Sequence, residues 1–206
     1  MNWTVETLDE RVDAELSALS AEMRDRFMRI ASLLETFGPA QVREPYVKPL
    51  TGKVWEMRLK GKDGIARAAY VAAVGRRLVV VHVFVKKTQK NTESEFRNCV
   101  EAGQGGRIDM TKLSELHRRW MEEPAYQAAH QASAAEFDLA HQLISARVAA
   151  GLTQEQLAQR MGTTQSAIAR LESGRRMPGL KTLERLAAAT GARLVVRLES
   201  AAPPTA

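Results

Sequence analysis

The sequence predicts an α+β fold in two parts: an N-terminal β-α-α-β-β-β domain with an antiparallel sheet, then a small all-α domain followed by a terminal strand. Three observations predict it. Apolar residues recur at spacings of three and four across residues 12–37, alternate or run unbroken across 54–85, and return to helical spacing after residue 136.

The N-terminal elements follow in order. Trp3 to Glu6 reads as a short strand. Val12, Leu16 and Leu19, then Met23, Phe27, Ile30, Leu33, Leu34 and Phe37, mark two helices ended by Gly38-Pro39. Val54 to Lys60 alternates apolar and polar residues, Ile65 to Ala73 follows a Lys-Asp-Gly turn, and Arg77 to Val85 follows a Val-Gly turn. A helical hairpin against one face of this sheet leaves the other face for Arg58, Arg67 and His82, which strand alternation can direct there.

The C-terminal elements are marked by their caps. Phe137, Leu139, Ala140, Leu143, Ile144, Ala146 and Val148 give a helix closed by Gly151. Thr153 can cap a short helix with Leu157, Ala158 and Met161 on one face, and Gly162 supplies a turn that a residue with a Cβ would resist. Thr164 is a second cap, and Ala167, Ile168 and Leu171 form a buried stripe that turns Gln165, Ser166 and Arg170 outward. A final helix carries Leu180, Leu183, Leu186 and Ala187 and closes at Gly191. Cap, turn and cap at this spacing read as a DNA-binding helix-turn-helix. Gln can bond adenine and Arg guanine in the major groove, while Gln154 and the first-helix N-terminus sit over phosphate. In the loop Ser173 to Pro178, Arg175 and Arg176 are placed for backbone phosphates; a solvated basic loop is the plainer reading. Residues 135–191 closely resemble the XRE (phage-repressor) family, on Leu-Thr-Gln-Glu-Gln-Leu-Ala and Gln-Ser-Ala-Ile-Ala-Arg-Leu-Glu-Ser-Gly.

Ala192 to Leu198 is a β-branched run that cannot be stable unpaired. The same strand from a second copy is the economical partner, and the resulting homodimer would set two recognition helices about one DNA turn apart. The tail 201–206 is expected to be disordered.

Composition bounds the partners. The chain has 206 residues and a net charge of +6, which favours anionic partners. It has no apolar run of membrane-spanning length and no signal-peptide pattern at Met1, so a cytoplasmic location and no membrane partner are expected. A single Cys99 excludes an internal disulfide framework, and the four His lack metal-ligand spacing; no metal and no cofactor are expected. Charge is uneven: residues 43–90 hold twelve Lys and Arg against three acids, a second basic surface apart from the helix-turn-helix.

The N-terminal residues 1–90 resemble the RelE/ParE toxin superfamily, in its phage-derived Gp49-like, HigB-type branch. The resemblance rests on Tyr46-Val47-Lys48-Pro49-Leu50, Val54-Trp55-Glu56-Met57-Arg58, Arg67, and His82-Val83-Phe84-Val85-Lys86-Lys87-Thr88-Gln89-Lys90. It implies a metal-independent endonuclease that cuts mRNA in the ribosomal A site, with Lys48, Arg58, Arg67, His82, Lys86, Lys87 and Lys90 as its site. The chemistry needs cations around a phosphorane, a base for the 2′-oxygen and an acid for the 5′-oxygen. Histidine is the side-chain type best suited to exchanging protons, yet between Val81 and Val83 His82 also reads as a structural strand residue. A sibling branch of the superfamily poisons DNA gyrase instead.

The two resemblances explain each other, because such toxins are paired with XRE-type antitoxins that neutralise them and repress the shared operon. Met110 looks like the start of an antitoxin. Residues 91–109 are then a junction that departs from the toxin family, as a one-nucleotide frameshift would produce. Residues 110–134 are expected to bind the toxin through Leu116, Trp120, Met121 and Tyr126, or to pack on their own helix-turn-helix domain, residues 135–200. The expected function is a toxin-antitoxin fusion that binds operator DNA as an autorepressor and neutralises its linked toxin. The alternative is an active, ribosome-dependent mRNA endonuclease regulated in cis, with DNA gyrase inhibition a third reading behind it.

Overall fold

A computed structural model describes residues 3–51, 53–73, 75–85 and 111–197. The N-terminal part runs β1 (Thr4–Thr7), α1 (Glu10–Ser17), α2 (Ala21–Phe37), β2 (Val47–Thr51), β3 (Val54–Gly61), β4 (Gly64–Ala73) and β5 (Arg77–Val85). The short strand β6 (Thr111–Lys112) follows, then α3 (Leu113–Trp120), α4 (Pro124–Ala149), α5 (Gln154–Arg160), α6 (Gln165–Glu172) and α7 (Leu180–Thr190). No helix among the described residues is long and apolar enough to cross a membrane.

The described strands form one sheet in the order β2-β3-β4-β5-β1-β6. Pairing is antiparallel through β2 to β5, whereas β1 runs parallel to β5, with Val5 opposite Leu78. The sheet is therefore mixed. Two strands lie outside the sequence expectation: β2, whose Pro49 is tolerated because the strand is at the edge, and the two-residue β6.

Strand alternation divides the sheet. One face carries Met57, Leu59, Ala66, Ala68, Tyr70, Leu78 and Val80, all fully buried against Phe27, Ile30 and Leu34 of α2. By register the opposite face carries Lys48, Glu56, Arg58, Arg67, His82 and Phe84. A bulge between Ala69 and Tyr70 in the β4-β5 pairing shifts the register and preserves this segregation. Helix α1 replaces a strand beside the C-terminal half of β5: Arg11 donates to the Val81 carbonyl at 3.2 Å, and Glu15 accepts from Val83 N–H at 2.7 Å.

The helical part does not stand alone. Leu113, Leu116, Trp120, Tyr126, Phe137, Ala140 and Ile144 belong to the same buried core as the sheet and α2. Leu143, Leu152, Leu157, Ala158, Met161, Ile168 and Leu186 form a second core, that of the helix-turn-helix. Helix α4 feeds both. Its side facing α2 is bound by charge: Arg24 to Glu123, Arg26 to Glu136, and Asp25 to His130 and Ser133. The guanidinium of Arg24 also lies 5.3 Å from the Trp120 ring centroid.

The caps have the predicted form. Thr153 accepts from Gln156 N–H in a full capping box, Thr164 accepts from Ala167 N–H, and Gly162 turns the chain at φ 57°. Gly174, at φ 67°, closes α6 against α4; a Cβ there would overlap the Glu136 carbonyl oxygen. Residues 192–197 carry no regular secondary structure, with Val195 and Val196 about two-thirds exposed. Among the described residues of a single copy they have no strand beside them, so the expected pairing there depends on a second copy.

Candidate nucleic-acid interface

Two surfaces carry the candidate residues. On the sheet, Arg58 and Arg67 sit directly opposite each other on β3 and β4. Glu56, 1% exposed, lies between them: its Oε1 accepts from Arg58 Nε at 3.1 Å and its Oε2 from Arg67 Nη1 at 2.5 Å. The carboxylate fixes both guanidinium groups while leaving net positive charge on the trio. Lys48 stands opposite Glu56 across the β2-β3 pairing, and Glu44 reaches Arg58 at 4.0 Å.

His82 lies on this face, stacked on Phe84 with centroids 5.4 Å apart. Its Nδ1 is 3.0 Å from both Glu15 oxygens. Burial pushes the Glu15 carboxyl up, but bonds from His82 and Val83 N–H, with the charges of His82 and Arg11, outweigh it and hold the group below its ordinary value. Glu15 and Glu56 were not singled out in the sequence, where each is a single acid whose partners are set by tertiary pairing. Lys86, Lys87 and Lys90, and the junction 91–109, lie outside the described residues.

The second surface is α5-turn-α6. Thr164, Ser166 and Arg170 are exposed, as are Arg175 and Arg176 beyond the helix, and Thr164 Oγ1 and Ser166 Oγ are 3.0 Å apart. Arg175 also lies 3.5 Å from Glu136. Gln165 is half-buried and donates to Gln154 Oε1 at 2.7 Å. Gln154 departs from expectation. It is 5% exposed, because residues of the α2-β2 loop cover it, and its Nε2 donates to the Glu44 carbonyl at 3.1 Å.

A buried polar cluster joins the two surfaces. Arg147 and Glu172 pair through two hydrogen bonds, Arg147 also donates to the side chain and carbonyl of Gln41, and Tyr46 Oη donates to the carbonyls of Glu172 and Ser173. Burial pushes the Tyr46 phenol up, keeping it a donor. Beside the cluster lies a cleft of about 560 Å³ lined by Arg43, Glu44, Lys48, Thr153, Gln154, Glu155 and Gln165.

Residues 14–99 match the family described as Phage derived protein Gp49-like (DUF891). Residues 143–196 match the family described as Helix-turn-helix. The chain carries a Gp49-like toxin-family domain followed by an XRE-type helix-turn-helix domain. No curated protein matches the chain. The Gp49-like match continues past Lys90 to residue 99, and the helix-turn-helix match begins within α4. The trio of Glu56, Arg58 and Arg67 falls in the Gp49-like domain, and every candidate DNA contact falls in the helix-turn-helix. The region between the matches supplies Leu116, Trp120 and Tyr126, which are buried in the core of the Gp49-like domain; Met121 packs against that core.

Proposed function

We propose that this chain is a toxin-antitoxin fusion whose helix-turn-helix represses its own operon and whose α3 and α4 hold the Gp49-like domain in a neutralised state. The observation that carries the reading is the shared core: Trp120, Tyr126 and Phe137 are buried with Phe27, Ile30 and Leu34. A partner folded into the same core is released only when that core opens, which costs part of the fold's stability in addition to overcoming effective concentration. The helix-turn-helix adds bulk beside Lys48, at the border of the cationic sheet face, which supports exclusion of that face from a crowded ribosomal site. Repression is the work of a homodimer joined through Ala192 to Leu198, consistent with the exposure of Val195 and Val196.

The test uses the full chain. Its expression should leave growth unaffected, and the purified protein should retard a duplex carrying its own promoter. Gln165→Ala with Arg170→Ala should abolish retardation without altering the circular dichroism spectrum, and sedimentation should report two copies. A folded double variant that still selects this duplex over unrelated DNA would defeat the assignment of the reading helix.

A second reading, an mRNA endonuclease regulated in cis, is favoured by the Glu56-Arg58-Arg67 trio and His82 on one face. In that reading the two guanidinium groups stabilise the phosphorane formed by 2′-oxygen attack, and His82 exchanges the protons. Growth arrest by the full chain, relieved by Arg58→Ala, would favour this reading over the first.

A further inference from the structure

We propose that the loop joining α2 to β2 is an internal competitor for DNA, occupying the place beside Gln154 that a backbone phosphate takes in a docked helix-turn-helix. The inference rests on residues 143–196 binding DNA, and goes beyond that reading. When such a motif docks, its first helix crosses the nucleic-acid backbone and its second enters the major groove, so a polar side chain opening the first helix meets a phosphate oxygen. Gln154 holds that position.

Both of its side-chain donors are spent within the chain. One amide hydrogen goes to Glu172 Oε2 at 2.8 Å and the other to the Glu44 carbonyl at 3.1 Å, while Gln154 Oε1 accepts from Gln165. The Glu44 carbonyl is an acceptor oxygen standing where a phosphate acceptor would stand. Thr164, Ser166 and Arg170 remain exposed, so the blockade is confined to one corner of the surface. The adjacent cleft adds no net attraction for a phosphate strand. Glu44 and Glu155 line it together with Arg43 and Lys48, and Arg43 is engaged with the Ala40 carbonyl and the Trp55 ring. Its two carboxylates offset these two cations, and Arg147, which also lines it, is paired with Glu172.

The loop is anchored without using any base-reading side chain. Gln41 accepts from Arg147, and Tyr46 donates to the Glu172 and Ser173 carbonyls. Docked loop and bound DNA are alternatives, and the closed chain is the weaker repressor.

The test is hydrogen exchange and DNA binding on the full chain, with a labelled duplex carrying its own promoter as the probe. Saturating duplex should speed exchange of the amides of residues 41–44, 46 and 47 by roughly tenfold or more in the parent protein. Gln41→Ala with Tyr46→Phe, which removes the side-chain acceptor for Arg147 and the anchoring hydroxyl without changing the charge, should bind the duplex roughly five- to tenfold more tightly. Bound duplex with unchanged protection at 41–47 overturns the inference and leaves the DNA-binding reading intact. So does equal affinity in a variant whose loop exchanges faster. Failure of both proteins to bind overturns the inference together with that reading, and the parent measurement decides where the variant misfolds.

Discussion

Arg147 and Glu172 form a two-point ion pair almost wholly out of water, with Nε to Oε1 at 2.5 Å, Nη2 to Oε2 at 3.2 Å, and side-chain exposures of 1% and 2%. Desolvating both charges is costly, and the remaining donors and acceptors offset it: Arg147 also reaches Gln41 and the Leu152 carbonyl, and Glu172 also accepts from Gln154. The pair therefore ties α4 to α6 and both to the loop before β2.

Removing one partner should strand the other charge. Glu172→Ala is expected to lower stability by about 3–5 kcal/mol, whereas Arg147→Met with Glu172→Leu should lose less. Urea unfolding of the full chain measures both. A loss from Glu172→Ala under about 1 kcal/mol would mean that the pair behaves as an exposed one.

What the sequence made legible was local. Thr153 and Thr164 cap helices through bonds spanning three residues, so their roles were written in adjacent positions. Strands β3 to β5 followed from alternation and their turns. Four features were not local. Helix α4 begins at Pro124, well before its readable apolar stripe at Phe137, because residues 124–136 carry Ala, Gln, His and Ser and depend on α2 through Arg26-Glu136 and Asp25-His130. Arg147 on a helix reads as a surface charge until the chain folds Gln41 and Glu172 onto it. Glu56 is an isolated acid among basic residues, and only the pairing of Arg58 with Arg67 shows what it holds. Gln154 was correctly seen as polar and helix-opening, but its burial under Glu44 depends on two domains meeting, which no local pattern records.

The Glu15 contacts predict an acid limb. Its folded carboxyl titrates below the ordinary value of 4.5, so the fold gains from its ionised form. That contribution is fully present above the unfolded value and is lost as pH falls through the folded one. Glu15→Gln should remove it while retaining an acceptor for Val83 N–H. Stability of the parent should then fall more steeply than that of the variant as pH drops below about 4.5, with the two curves parallel above it. Identical acid slopes would show that the His82, Val83 and Arg11 contacts do not favour the ionised group.

Helix α4 makes a stronger statement about cooperativity. Trp3, Trp55 and Trp120 all lie in or against the core of the Gp49-like domain, so indole fluorescence reports that core. The helical signal in circular dichroism draws largely on α4 to α7, of which α5 to α7 belong to the other core. Were the domains tethered only by a linker, the two probes would melt separately. Because α4 supplies Phe137, Ala140 and Ile144 to one core and Leu143 to the other, loss of either core unseats the same helix. Denaturant transitions followed by the two probes should therefore coincide. Leu143→Ala, which opens a cavity only in the helix-turn-helix core, should move both midpoints together, by about 2–5 kcal/mol of lost stability. Two separate midpoints, with the fluorescence transition unmoved by Leu143→Ala, would mean that the helix does not couple the cores.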